Sequence, residues 1–194
     1  MYFSMDEIGF ENFEKIKKIS NESDRWRFIY NIAKNYGFEG IHLTNTLYKE
    51  LNLDLNNIPS YFNEFKLTYH FGGLYKINSI EELQSFDNDL KESFDVAINH
   101  NMHDISIHPP YTYGLSLAEK KLCLYFFNEA INKWVKIALQ HNISFSLETH
   151  VTGEFFLFNG LNQYVQFIDN HSNLGILIDI SHNYFDGYSE EDIY

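Results

Sequence analysis

Five short apolar runs in this sequence carry, at or close to their last position, a side chain able to hold a proton or a metal ion. They are GIHL with His42, KLTYHF with His70, DISIH with His108, ISFSLE with Glu148 and LGILID with Asp179. Segments with helical spacing separate most of them. Strands that alternate with helices in this way imply βαβ units and a parallel sheet. Right-handed crossovers then bring the C-terminal end of every strand to one edge.

The separating segments bear this out residue by residue. Residues 24–36 place Trp26, Ile29, Ala33 and Tyr36 on one helical face, and Gly37 is suited to close that helix. Ser79 with Glu82 makes a capping-box pattern before Leu83, Phe86, Leu90 and Phe94. Ser116 with Glu119 makes a second, opening a long helix with Leu122, Phe126, Trp134, Val135 and Ala138 inward. Residues 160–170 read as a further helix, and MYFS at the N-terminus as a weak first strand. Gly72-Gly73 and Pro109-Pro110 stop the strands before them. Residues 1–194 read as a single domain with no repeat and no low-complexity linker.

Bulk composition removes several function classes. The chain has 194 residues and a net charge of −13, so it repels a phosphate backbone and general nucleic-acid binding is disfavoured. It is 44% hydrophobic and 18% aromatic, enough for a filled core. No apolar run nears the roughly 20 residues that span a bilayer. The acidic N-terminus does not read as a secretory signal. A lone cysteine, Cys123, forms no internal disulfide, which fits a cytoplasmic protein; it sits among apolar residues and reads as packing.

The strand ends suggest one chemistry. One strand-end histidine is commonly just hydrogen-bonded, and a strand-end carboxylate commonly caps the next helix. His70, His108, Glu148 and Asp179 on successive strands, with His182 just beyond, point instead to a shared cation. Mixed imidazole and carboxylate ligands suit Zn²⁺, Mn²⁺ or Fe²⁺, with Zn²⁺ or Mn²⁺ favoured here. His42 stays outside the set, because Thr44 and Asn45 beside it read equally as a loop cap. His100, His103, His141, His150 and His171 fall on helix ends or loops and receive no role. The tyrosines of HPPYTYG are a weak signal for a sugar pocket in so aromatic a chain.

The stretches TYHFGG, SIHPPYTYG, SLETH and LIDISHNYFDGY resemble the strand ends of the xylose-isomerase-like TIM-barrel superfamily over about residues 24–188. That superfamily holds sugar isomerases and epimerases and also endonuclease IV. The resemblance implies an α/β fold, an incomplete TIM-type barrel of about six parallel strands lacking the last two βα units. It implies Glu148 and Asp179 as metal ligands in the manner of the isomerases. It implies His70, His108 and His182 as ligands in the manner of endonuclease IV. The sequence stops soon after the sixth strand, short of the ~250 residues of a full barrel, and HPP replaces the more usual HPG, stiffening that loop.

Three functions follow as expectations. The first is a metal-dependent sugar or sugar-phosphate isomerase or epimerase, with Glu148 as ligand and base and a carbohydrate as substrate. The second is an endonuclease-IV-like phosphodiesterase, against which the acidic charge argues. The third is a non-catalytic remnant of the fold that binds a metal or a partner chain. An open sheet edge after the sixth strand would favour a homo-oligomer that covers it.

Overall fold

A computed structural model of the chain describes residues 2–4, 9–73, 75–150 and 155–179. Its strands form one sheet in the order β1-β2-β3-β4-β5-β6, which is also the order of the chain. They are β1 (Tyr2–Ser4), β2 (Gly40–Thr44), β3 (Lys66–Phe71), β4 (Asp104–Ile107), β5 (Ser144–Glu148) and β6 (Leu174–Leu177). The helices are α1 (Gly9–Lys17), α2 (Glu22–Asn35), α3 (Asn45–Glu50), α4 (Ile80–Asn99), α5 (Leu117–Gln140) and α6 (Leu161–Asp169). The weak N-terminal strand is real, and it pairs in parallel with β2. Helices α1 and α3, and the 3-10 turns at Leu55–Asn57 and Ser60–Glu64, were not legible in the sequence. Among the described residues no helix is long and apolar enough to cross a membrane.

The chain divides into two compact units, Met1–Gly72 with Ser93–Ile105, and Gly73–Glu92 with Ser106–Tyr194. In the first unit, β2 pairs in parallel with both β1 and β3. Trp26 of α2 packs on Tyr48 and Phe62, with ring centres 5.3 and 5.2 Å away. The Arg25 guanidinium donates to the carbonyls of Ile19 and Leu51, each at 2.9 Å, which fixes both ends of the adjoining loops. In the second unit, β5 and β6 pair in parallel from Phe145↔Leu174 to Glu148↔Leu177. Phe127 stacks on Phe167 at 5.5 Å, and Phe158 closes the cluster at 5.0 Å from Phe167. Asp87 accepts hydrogen bonds from Trp134 Nε1 at 2.7 Å and Lys133 Nζ at 2.8 Å, tying α5 to the start of α4.

Helix ends explain part of the asparagine-rich composition. Gly37 has φ +71° and closes α2 in a Schellman arrangement, with Phe38 N–H donating to Ala33 and Gly37 N–H to Lys34. Asn52, Asn101 and Asn142 take the same left-handed region, and the amide of Leu53, Met102 or Ile143 then turns back onto the helix. Asparagine tolerates that backbone region better than other non-glycine residues. The three asparagine turns drop Leu53, Met102 and Ile143 into the core just after their helices.

The two capping boxes differ. Ser116 and Glu119 bond reciprocally, and hydrogen bonding to Ser116 holds the Glu119 carboxyl below its usual range. At α4, Ser79 accepts from Glu82 N–H, but the Glu82 carboxylate reaches Asn78 N–H instead of Ser79.

Two expected faces are corrected. Tyr36 is 75% exposed, because α2 ends at Asn35 and the turn carries Tyr36 away from the helical stripe. On α5, Leu122 is 40% exposed and Phe126 only half-buried; Cys123, Phe127, Ala130 and Ile131 are buried instead. A 24-residue helix of high overall apolarity offers two candidate stripes, and packing selects the one with Phe127. Cys123 is a packing residue as expected, and burial pushes its thiol up to about 11. β6 is also less covered than a central strand, since only Leu174 in it is buried and Leu177 is exposed.

Phe127→Ala should therefore cost about 3–5 kcal/mol of stability. Leu122→Ala should cost less than about 1 kcal/mol. Urea unfolding of both variants checks this, and similar losses would mean that the stripe with Leu122 is buried after all.

Candidate metal centre

His70 is the next-to-last residue of β3, and parallel register sets it opposite Thr44 of β2. Two residues earlier, His42 stands opposite Thr68, and its Nδ1 shares a 2.7 Å hydrogen bond with Thr68 Oγ1. The His42 ring lies 5.7 Å from that of His70, so it backs the candidate ligand. Past His70 the chain turns sharply. Gly72 N–H donates to the His70 carbonyl at 3.0 Å and to Asn45 Oδ1 at 2.9 Å. Asn45 is thus the loop cap that the sequence suggested. A Cβ on Gly72 would approach Thr46 Oγ1 to 3.1 Å, which is why the turn sits so close to β2.

His108 follows β4 directly, and Glu148 is the last residue of β5. His108 Nε2 stands 3.4 Å from Glu148 Oε1, and both side chains are largely buried. The His108 ring meets that of His150 edge to face at 4.9 Å. His150 is fixed in turn by Phe156, at 3.8 Å between ring centres, and by its N–H donating to the Tyr164 hydroxyl at 2.9 Å. Beyond Glu148 the ladder continues: Thr149 N–H donates to the Leu177 carbonyl at 2.9 Å, and Asp179 N–H to Thr149 Oγ1 at 2.9 Å.

Two donors on one tetrahedral ion, with bonds near 2.1 Å, stand about 3.4 Å apart. The His108–Glu148 separation already has that value. An imidazole beside a carboxylate suits Zn²⁺ or Mn²⁺. The donor pair therefore fits a divalent cation. His70 stands at the end of β3 in the first unit. Asp179 is half-buried two residues past β6. His182 lies outside the described residues. His150, to which the sequence gave no role, is the residue the site adds; only its place two positions after Glu148 hinted at it.

No protein-family model and no curated protein matches this sequence. Solved structures do. An AP endonuclease, family 2, from Brucella melitensis matches with a TM-score of 0.61 and 14% identity, over 93% of this chain and 69% of that one. The D-psicose 3-epimerase of Clostridium cellulolyticum, solved with D-tagatose, matches at 0.65 and 18%, over 86% and 61%. The IolI protein, solved with a zinc atom, matches at 0.68 and 15%, over 99% and 66%. The chain thus spans less than two thirds of the length of the last two. A xylose isomerase domain containing protein from Salmonella typhimurium matches at 0.65. The expectation from the strand ends holds at the level of fold: an α/β parallel sheet with helices that matches part of a TIM barrel.

Asn45→Ala would leave the buried Gly72 N–H without its side-chain acceptor. A loss of about 1–3 kcal/mol in chemical denaturation is expected. A change under about 0.5 kcal/mol would show that the His70 carbonyl alone satisfies that amide.

Proposed function

We propose that the protein is a metal-dependent sugar or sugar-phosphate isomerase or epimerase, with His70, His108 and Glu148 holding one divalent cation and Glu148 also moving a proton. The observation that carries this reading is the 3.4 Å approach of His108 Nε2 to Glu148 Oε1 at the C-terminal ends of β4 and β5. In parallel α/β folds that end is where ligands bind. The proposed set also includes Asp179, two residues past β6, and His182, which the strand-end resemblance adds. A bound divalent cation would polarise a carbonyl oxygen and ease the build-up of negative charge beside it.

The chain's own residues would do the rest. Glu148 has two oxygens, so one can face the cation while the other accepts a proton from the carbon next to the carbonyl. Returning that proton to the neighbouring carbon on the same face, while the hydroxyl proton passes from that carbon's oxygen to the former carbonyl oxygen, completes an aldose–ketose shift. Epimerisation needs a second group to deliver a proton from the opposite face. His150 keeps the His108 ring edge-on, and Phe156 backs His150.

Calorimetric titration with Zn²⁺ or Mn²⁺ should show about one site per chain. Glu148→Gln should weaken it at least tenfold, about 1.4 kcal/mol. Binding should also weaken as pH falls from about 7.5 to 5.5, because protons compete for the imidazoles. In D₂O, a panel of ketoses should take up deuterium beside the carbonyl only with metal present, and Glu148→Gln should abolish uptake. No saturable metal binding would end the proposal. Metal-dependent cleavage of abasic duplex DNA without deuterium uptake would replace it with the phosphodiesterase reading.

The proposal includes a homo-oligomer. Among the described residues β6 ends the strand order, and its Leu177 is exposed. Sedimentation should give a mass at least twice that of one chain, and Leu177→Lys should shift it toward the monomer.

A further inference from the structure

The loops after β4 and β5 hold an aromatic ledge that the metal centre does not need. Tyr113 and Phe155 stack on each other at 5.1 Å, with only 14° between their planes, yet they are 52% and 48% exposed. Each ring therefore presents about half its surface to water. Tyr111 lies 6.3 Å from Tyr113, and the Lys76 ammonium stands 5.6 Å over the Tyr111 ring. The backbone beneath is tied across three loops: Tyr111 N–H donates to Tyr75 and Thr112 N–H to Phe155, each at 2.7 Å, and Leu157 N–H to Pro110 at 3.0 Å. These bonds hold in place rings that little else covers.

The ledge is continuous with the candidate ligands. Tyr111 meets Phe156 edge-on at 6.1 Å, Phe156 meets His150, and His150 meets His108. We propose that Tyr113, Phe155 and Lys76 form a subsite for a phosphorylated monosaccharide. This rests on the carbohydrate reading above and names its substrate class. The apolar face of a sugar ring covers an exposed aromatic face and removes it from water. In a chain of net charge −13, an ammonium beside that face is the feature that selects an anionic substituent. The Glu119 carboxylate feels Lys76, and it is already held by the hydrogen bond it accepts from Ser116 N–H.

Ligand-observed saturation-transfer NMR with D-fructose 6-phosphate, D-fructose and inorganic phosphate tests this, with Zn²⁺ titrated in parallel. D-fructose 6-phosphate should bind at least fivefold more tightly than either of the others. Tyr113→Ala and Phe155→Ala should each weaken it at least fivefold. Lys76→Gln should bring it down to the level of D-fructose. All three variants should keep wild-type Zn²⁺ affinity, since the altered side chains are exposed and are not among the proposed ligands. No binding of the sugar phosphate, equal binding of inorganic phosphate, or indifference to the ledge variants would overturn the proposal. Loss of Zn²⁺ binding with sugar-phosphate binding intact would remove the metal reading and leave the subsite standing.

Discussion

Parallel strand register is the constraint on which the rest of the structure depends. Because β2 and β3 run the same way, Thr44 faces His70 and His42 faces Thr68. β5 and β6 likewise bring Glu148 level with Leu177. A slip of one residue in either pair would turn its side chains to the opposite face. The ladder is locked just past the strand ends, by Asn45 on Gly72 in one unit and by Thr149 on Leu177 and Asp179 in the other. These locks fall where the candidate ligands stand.

The electrostatics of the centre follow from burial. Glu148 is a largely buried carboxylate in an aromatic surrounding, and such a charge is costly unless a cation or strong donors face it. His108 at 3.4 Å supplies a donor only when that nitrogen carries a proton. A divalent cation between them would take the imidazole nitrogen and a carboxylate oxygen as ligands. The surface charge makes the same point at longer range: an acidic protein attracts cations and repels polyanions.

Much of this was legible in residue order. Strand-end polarity, the Ser116–Glu119 box and the Gly37 cap each rest on contacts within a few residues, so local sequence suffices. Trp134, Val135 and Ala138 of α5 are buried as their spacing predicts, but the start of that face was not legible, because Leu122 and Cys123 lie side by side in stripes of similar apolarity. Only the aromatic cluster of Phe127, Phe158 and Phe167 decides between them. Helices α1 and α3 were missed for a related reason: both are short, and isolated helices under about 12 residues are marginal without tertiary packing.

The sequence by itself determined an alternation of strands and helices, and with it an edge where imidazoles and carboxylates collect. That follows from chain direction and handedness, which depend on no single contact. Tertiary structure decided which of those groups meet. His108 meets Glu148 at 3.4 Å, and Asp179 is anchored through its amide to Thr149. It also decided that His150 backs His108, and that Tyr113 and Phe155 stand stacked in water. Contacts between side chains from different loops depend on where each loop is tied. Here the ties are backbone hydrogen bonds, to which almost any residue can contribute, so no pattern of residue types announces them.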